Sequence, residues 1–193
     1  IQQILMTHTC EKFDVIMGRG NSYEIFTKIH GVGDKKAKEL IGKNFSTIEQ
    51  LRNYPDVSLI LNDTQLKGLK YYEYIQKRIP YGEIVEHEKY LKQILKSIDN
   101  SAELTIAGSY RRKCETSGDI DVLIKTPRVK NTSIYDIFIE DLQKKGYVVE
   151  TLSHGAKKFM GICRYQNEYR RIDIMFTRTH DYPFAILYFT GSK

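Results

Sequence analysis

Two aspartates occupy alternate positions in the stretch Gly118-Asp119-Ile120-Asp121-Val122-Leu123-Ile124. Side chains of a β-strand point to opposite faces in turn, so Asp119 and Asp121 share one face while Ile120 and Val122 lie on the other. Two neighbouring carboxylates repel each other unless a cation lies between them, and Mg²⁺ prefers oxygen ligands of this kind. The spacing therefore predicts a magnesium site.

A small turn at Gly108-Ser109 shortly precedes these aspartates. Its backbone N–H groups and its hydroxyl suit a phosphate, so the turn and the aspartates together predict a site for Mg²⁺ and a nucleoside triphosphate. The alternative is a pair of solvated acids on an edge strand. The apolar run Val122-Leu123-Ile124 favours a central, buried strand, in which two carboxylates are seldom found without a metal or a base.

A third aspartate lies in Arg170-Arg171-Ile172-Asp173-Ile174-Met175. The same alternation places Arg171 and Asp173 on one face and the isoleucines in the core. Asp173 can therefore complete a carboxylate triad from a neighbouring strand. The alternative is a surface aspartate that pairs with Arg171, and the nearby pair of aspartates favours the triad.

A glycine hairpin, Gly31-Val32-Gly33, separates two short predicted helices and is followed by Lys35. Glycines permit the tight connection, and exposed N–H groups at the start of a helix bind anions. This pattern favours a grip on the DNA backbone without sequence readout. A helix C-cap beside a solvated lysine face is the alternative.

Composition restricts the function classes further. The chain has 193 residues, a formal net charge of +6 and a pI near 9.1, which permits but does not prove nucleic-acid binding. No apolar run is long enough to span a bilayer. The three cysteines, Cys10, Cys114 and Cys163, form neither a zinc pattern nor a disulfide framework, so we expect free thiols in a reducing compartment.

The predicted elements change character near Ser101. Before it the pattern is helical, with a capping box at Ser46-Thr47-Ile48-Glu49, a helix capped by Asn62 or Asp63, and a long amphipathic helix after Pro80. After it we predict strands over Leu104–Ala107, Asp119–Ile124, Tyr147–Thr151, Lys157–Arg164 and Tyr169–Phe176, and helices over Ser133–Lys145 and Pro183–Phe189. In the first of these two helices Ile134, Ile137, Phe138 and Leu142 are expected to face inward.

The predicted fold class is α+β: an all-α helix-hairpin-helix subdomain at residues 21–100, then a mixed or antiparallel sheet with flanking helices at residues 101–193. Residues 1–20 are expected to be the remnant of an upstream segment.

The order of the motifs resembles that of the family X DNA polymerases. The motifs that carry the resemblance are Gly31-Val32-Gly33, Lys77-Arg78-Ile79-Pro80, Gly108-Ser109 with Arg111-Arg112, Gly118-Asp119-Ile120-Asp121, Thr151-Leu152-Ser153, Lys158-Phe159-Met160-Gly161, Arg171-Ile172-Asp173 and Tyr188-Phe189-Thr190-Gly191-Ser192. A nucleotidyltransferase core alone would also fit poly(A) polymerases and small-molecule adenylyltransferases. The hairpin and the Tyr-Phe-Thr-Gly-Ser segment select the DNA polymerases.

The resemblance implies a role for each site residue. Asp119 and Asp121 would bind two Mg²⁺ ions, with Mn²⁺ as a substitute, and Asp173 would bind the catalytic ion and accept the proton of the primer 3′-hydroxyl. The implied nucleotide contacts are Gly108, Ser109, Arg112, Gly118, Tyr188, Phe189 and Gly191. The implied DNA contacts are Gly31, Val32, Gly33, Lys35, Lys158 and Arg171, and the carbonyls of Thr27, Ile29 and Val32 would hold Na⁺ or K⁺.

The implied function is a DNA-directed DNA polymerase that fills short gaps during DNA repair, including base excision repair. Its partners would be gapped or primer–template DNA and a dNTP, with no membrane, and the chain would act as a monomer. It would work in the nucleus, or in the cytoplasm or virion if viral. The family's lyase domain would precede this chain and its thumb would follow. A template-independent terminal transferase and a non-catalytic DNA-binding fragment remain the alternatives.

Overall fold

The chain folds as two units that divide between Tyr72 and Glu73. The computed structural model describes residues 21–127 and 132–191. The predicted upstream remnant at residues 1–20 lies outside the described residues, as do residues 128–131 and 192–193.

The first unit is helical. Its elements are α1 (21–27), α2 (Asp34–Gly42), α3 (Ile48–Arg52), α4 (Val57–Ile60) and α5 (Asp63–Lys70), and α6 (Tyr72–Gln76) crosses the division. Its core contains the fully buried side chains of Phe26, Leu40 and Leu51. Apolar burial of this kind is the main source of stability for such short helices.

Two capping boxes begin α3 and α5. At α3 the cap is Thr47, whose Oγ1 accepts a hydrogen bond from the Gln50 amide at 3.2 Å. The predicted box of Ser46 and Glu49 is therefore wrong by one residue, because the Gln50 side chain reaches back to the Thr47 amide. At α5, for which Asn62 and Asp63 were the predicted alternatives, the cap is Asn62.

The second unit contains a five-stranded sheet with helices. Its elements are β1 (Ile79–Pro80), α7 (Tyr81–Ile98), β2 (Glu103–Ile106), α8 (Gly108–Arg111), β3 (Thr116–Ser117), β4 (Ile120–Thr126), α9 (Thr132–Lys144), β5 (Val148–His154), β6 (Lys158–Tyr165), β7 (Glu168–Arg178) and α10 (Tyr182–Thr190). The strand order is β2-β4-β7-β6-β5; β4 and β7 are parallel and the other pairs antiparallel. The predicted α+β class with a mixed sheet is confirmed.

The core of this unit lies on one face of the sheet. Ile120 and Val122 of β4 and Ile172 and Ile174 of β7 are all fully buried there, as the alternation predicts. Helices α7 and α9 contribute to the same cluster through Ile84, Leu91, Leu95, Phe138 and Leu142. The predicted subdomain boundary near residue 100 stays a prediction, but the apolar face of α7 packs within the second unit.

One inward-facing residue of α9 is predicted wrongly. Ile137 is 47% exposed, whereas Tyr135 and Ile139 are buried. At 100° per residue the buried stripe is centred between Tyr135 and Phe138, which leaves Ile137 on its solvent side.

None of the described helices combines the length and the apolar composition that crossing a bilayer requires.

A buried polar network joins α7 to the sheet. The fully buried His87 places Nδ1 2.6 Å from the Tyr147 hydroxyl and Nε2 3.6 Å from a Glu83 oxygen. Glu83 accepts two hydrogen bonds from Arg170 of β7, at 2.7 and 3.0 Å. Burial lowers the pKa of His87 to about 4, since a charged imidazole is poorly solvated there.

We therefore expect the second unit to lose stability as the pH falls from about 6.5 to about 4. Protonation of His87 favours the unfolded chain, in which its pKa is ordinary, and this one group costs at most about 3 kcal/mol. Urea unfolding of the wild type and His87→Gln at pH 7 and pH 4.5 measures the effect. The wild type should lose more stability than the variant, whereas His180→Gln, at an exposed histidine, should behave as the wild type. Equal losses in wild type and His87→Gln would contradict the assignment.

A second stability prediction concerns the close approach of α5 to the hairpin. A Cβ at Gly68 would overlap the His30 carbonyl oxygen and lie 2.9 Å from the His30 amide nitrogen. We expect Gly68→Ala to destabilise the helical unit by about 1–3 kcal/mol in urea unfolding followed by circular dichroism. The matched control is Gly42→Ala, where an added Cβ meets no atom of the described residues within 4 Å. The control should be neutral or stabilising, and a similar loss in both variants would show that the contact is unimportant.

Candidate active site

Three aspartates meet at one end of the parallel strand pair. Asp119 immediately precedes β4, Asp121 lies in β4, and the register places Asp121 beside Asp173 of β7. One carboxylate oxygen from each residue lies within 4.8 Å of the others. The predicted triad of Asp119, Asp121 and Asp173 is therefore assembled.

The alternation of the two strands explains this position. Since the neighbouring isoleucines fill the core on one face, Asp121 and Asp173 must lie on the other face. The same face continues with the fully buried Leu123 and the partly buried Met175, which helix α10 covers through Ile186 and Phe189. The carboxylates lie at the end of the face where this apolar cluster stops.

The triad fits a divalent cation. Asp173 is 5% exposed, and no described residue forms a hydrogen bond with its buried Oδ1. A buried carboxylate oxygen is costly unless a cation meets it, and three clustered carboxylates are the oxygen ligands that Mg²⁺ and Mn²⁺ prefer. These side chains are thus suited to hold a metal ion.

Two basic side chains contact the carboxylates. The guanidinium of Arg171 binds Asp119 through Nη2 and places Nε 3.7 Å from Asp173 Oδ1. Lys158 of β6 places Nζ 3.0 Å from Asp173 Oδ2. The sequence suggested either a carboxylate triad or an aspartate paired with Arg171. The structure contains both.

Gly108 lies directly against the triad. The predicted turn at Gly108-Ser109 is the start of the single-turn helix α8, because the Arg111 and Arg112 amides bond back to the carbonyls of Ala107 and Gly108. Gly108 has φ +55°, and a Cβ there would overlap Asp121 Oδ2 and lie 3.0 Å from Asp121 Cγ. Glycine is required both by this backbone conformation and by the space that Asp121 fills.

Hydroxyl and guanidinium groups surround α8. Ser109 Oγ donates to Ser117 Oγ at 2.7 Å. Arg112 donates from Nη1 to the carbonyl oxygens of Thr190 and Gly191 at the end of α10. These contacts bring the predicted phosphate-binding residues and the predicted Gly191 into one neighbourhood, and they link α8 to α10.

Two further polar residues, which the residue patterns did not single out, adjoin the site. Ser117 is buried beside Ser109, and Arg78 donates from Nη2 to the Thr116 carbonyl at 2.8 Å. Arg78 Nη1 would lie 3.3 Å from a Cβ at the predicted Gly118. The only sequence signals were the nearness of Ser117 to Asp119 and the presence of Arg78 in the Lys-Arg-Ile-Pro motif.

The two predicted aromatic contacts have different environments. Tyr188 is 80% exposed, whereas Phe189 is 9% exposed and packs on Ala107 and Leu123. Lys158 Nζ lies 5.8 Å from the centroid of the Phe189 ring. Phe189 therefore contributes to the wall beside the triad, and Tyr188 presents its ring to solvent.

The predicted DNA-contacting hairpin lies in the helical unit. Gly31 has φ +83°, and its carbonyl accepts a hydrogen bond from the buried Gln65 of α5 at 2.9 Å. The Val32 amide donates to the Ile29 carbonyl at 3.0 Å, and Gly33 is the N-cap of α2. The loop thus has a fixed turn geometry. Two other predicted residues flank this turn: Thr27 lies before it, at the end of α1, and Lys35 lies after it, exposed in α2.

Family comparisons agree with this geometry. The family model described as "DNA polymerase beta palm" matches residues 78–179, just over half of the chain, and "Fingers domain of DNA polymerase lambda" matches residues 24–76. The two matches meet close to the division between the two units.

Individual relatives point the same way. DNA polymerase lambda of Rattus norvegicus is 28% identical over all of this chain and 34% of its own length, and DNA polymerase lambda of Arabidopsis thaliana is 28% identical over all of this chain and 38% of its own length. DNA nucleotidylexotransferase of Xenopus laevis is 27% identical over 91% of this chain and 42% of its own length. The chain thus spans less than half of the length of these relatives. The palm match, the fingers match and the assembled triad show that the chain belongs to the family X DNA polymerases.

Proposed function

We propose that this chain carries the nucleotidyl-transfer site of a DNA polymerase, which adds a dNTP to a primer 3′-hydroxyl in short gaps during DNA repair. The observation that carries the proposal is the triad of Asp119, Asp121 and Asp173 on neighbouring parallel strands. Three clustered carboxylates destabilise the folded protein unless they bind a cation. The DNA polymerase lambda relatives support a DNA substrate.

In this mechanism Asp119, Asp121 and Asp173 would hold two divalent cations. Mg²⁺ or Mn²⁺ bound there would lower the pKa of the primer 3′-hydroxyl and neutralise charge on the triphosphate. Asp173 accepts the proton of that hydroxyl through its buried Oδ1, which no described residue hydrogen-bonds and which Arg171 Nε approaches only to 3.7 Å. The nearly complete burial of Asp173 keeps water away from this oxygen.

The triphosphate is held by the groups around α8. Ser109 and Ser117 offer hydroxyls, Gly118 its amide, and Arg112 and Arg78 offer guanidinium groups that suit phosphate oxygens. Since Arg112 also contacts the end of α10, phosphate binding is linked to the helix that carries Tyr188 and Phe189. Those two residues and Gly191 border the sugar of the nucleotide.

Gapped or primer–template DNA is the polymeric substrate. Lys158 and Arg171 lie at the triad and contact the primer backbone. Gly31, Val32, Gly33 and Lys35 contact a second part of the backbone, and the carbonyls of Thr27, Ile29 and Val32 would hold Na⁺ or K⁺ there. The chain acts as a monomer in the nucleus.

A template-independent terminal transferase is the second candidate, because DNA nucleotidylexotransferase of Xenopus laevis is among the relatives. The two activities differ in their response to the template base: a polymerase adds the complementary nucleotide, whereas a terminal transferase extends single-stranded primers. A non-catalytic DNA-binding fragment would have no use for the clustered carboxylates.

The first test is Asp173→Asn, which retains the shape of the side chain and removes its charge. We expect nucleotide addition to a gapped primer to fall on the order of a thousandfold or more, because one metal ligand and the proton acceptor are lost. DNA binding by fluorescence anisotropy should change less than about threefold, since basic groups provide it. Asp136→Asn, on α9, is the matched control. A normal rate in Asp173→Asn would refute the metal assignment.

The second test is Gly108→Ala, which moves a methyl group into the place of Asp121 Oδ2. We expect both Mn²⁺ affinity and nucleotide addition to fall at least about tenfold, because one metal ligand is displaced and φ is strained. Gly82→Ala in α7 is the control, since an added Cβ there has no atom within 4 Å in the part of the chain that the structure describes. Unchanged Mn²⁺ binding in Gly108→Ala would show that Asp121 is not a ligand.

A further inference from the structure

Lys158 makes an ion pair that a DNA-contacting residue would not need. Its Nζ lies 3.0 Å from Asp173 Oδ2, and its side chain is 42% exposed while that of Asp173 is 6% exposed. The ammonium therefore approaches a buried carboxylate from the solvent side. This Asp173 carboxylate is also the group that would hold the catalytic cation.

The Lys158 ammonium and a divalent cation compete for the carboxylates of the triad. Arg171 and Lys158 both bring positive charge to the three carboxylates. A divalent cation among the carboxylates replaces this compensation and repels the ammonium, because like charges at a few ångströms interact strongly in a partly buried site.

We propose that Lys158 is an internal counterion of the metal site: it holds Asp173 in the metal-free protein and leaves the carboxylate when a divalent cation binds. Lys158 is thus a positioning residue that sets the metal affinity of the site. The inference rests on the proposed function, since it requires a metal at the triad.

A second contact is available to the displaced side chain of Lys158. Lys158 Nζ lies 5.8 Å from the centroid of the Phe189 ring, which offers the ammonium a second favourable contact. A lysine is a flexible point charge, so it can turn from Asp173 towards a phosphate without moving β6. Binding of the metal and binding of a polyanion should therefore strengthen each other.

Metal affinity tests the proposal without any need for activity. Mn²⁺ binding to the full chain is followed by electron paramagnetic resonance in the wild type, Lys158→Gln, Lys157→Gln and Asp173→Asn. We expect Lys158→Gln to bind Mn²⁺ roughly fivefold more tightly, because the competing ammonium is gone. Lys157→Gln makes the same charge change at an exposed neighbour and should bind as the wild type. Thermal melting verifies that each variant is folded.

Nuclear magnetic resonance of the lysine side chains tests displacement itself. During a Mg²⁺ titration the Lys158 ammonium signal should shift with the midpoint of metal binding, while that of Lys157 stays in place. A Lys158 signal that ignores Mg²⁺, or equal Mn²⁺ affinities for Lys158→Gln and Lys157→Gln, would overturn the proposal. Absence of Mn²⁺ binding in the wild type, or binding that Asp173→Asn leaves unchanged, would instead overturn the proposed function.

Discussion

The repulsion among three carboxylates held within 4.8 Å is the constraint on which the second unit depends. Uncompensated negative charges at this spacing oppose folding, so the rest of the unit must supply more favourable free energy than they cost. The buried faces of β4 and β7 provide it, with Ile120, Val122, Ile172 and Ile174 fully buried against α7 and α9. The basic groups of Arg171 and Lys158 reduce the repulsion that remains.

The fold places each requirement on a different element. Parallel pairing of β4 with β7 sets the distance between Asp121 and Asp173, and the close packing of Gly108 fixes where the Asp121 carboxylate lies. Helix α10 covers the apolar continuation of the same sheet face and receives Arg112 at its end. On the opposite face of the sheet, the network of His87, Glu83 and Arg170 joins α7 to β7. This network holds β7, the strand that carries Asp173, on the face away from the triad.

Local patterns were sufficient to predict the triad, because a period of two fixes which residues share a face and apolar neighbours identify the buried side. The same rule predicted the burial of Ile172 and Ile174. It could not show that Lys158 contacts Asp173, or that Ser117 and Arg78 adjoin the phosphate-binding residues, since strand pairing brings these residues together from distant parts of the chain. Ser46 and Thr47 are adjacent residues that can both cap α3, and the capping box forms at Thr47. In α9 the buried stripe includes Tyr135 and Ile139, which leaves Ile137 exposed.

Primer extension on DNA with a one-nucleotide gap tests the central claim most directly. The chain is present in excess over a labelled primer, with Mg²⁺ and each dNTP in a separate reaction. We predict addition of the nucleotide complementary to the template base, only when Mg²⁺ is present. A primer that stays unextended in every reaction, while fluorescence anisotropy shows the DNA fully bound, would contradict the claim that the triad catalyses nucleotidyl transfer.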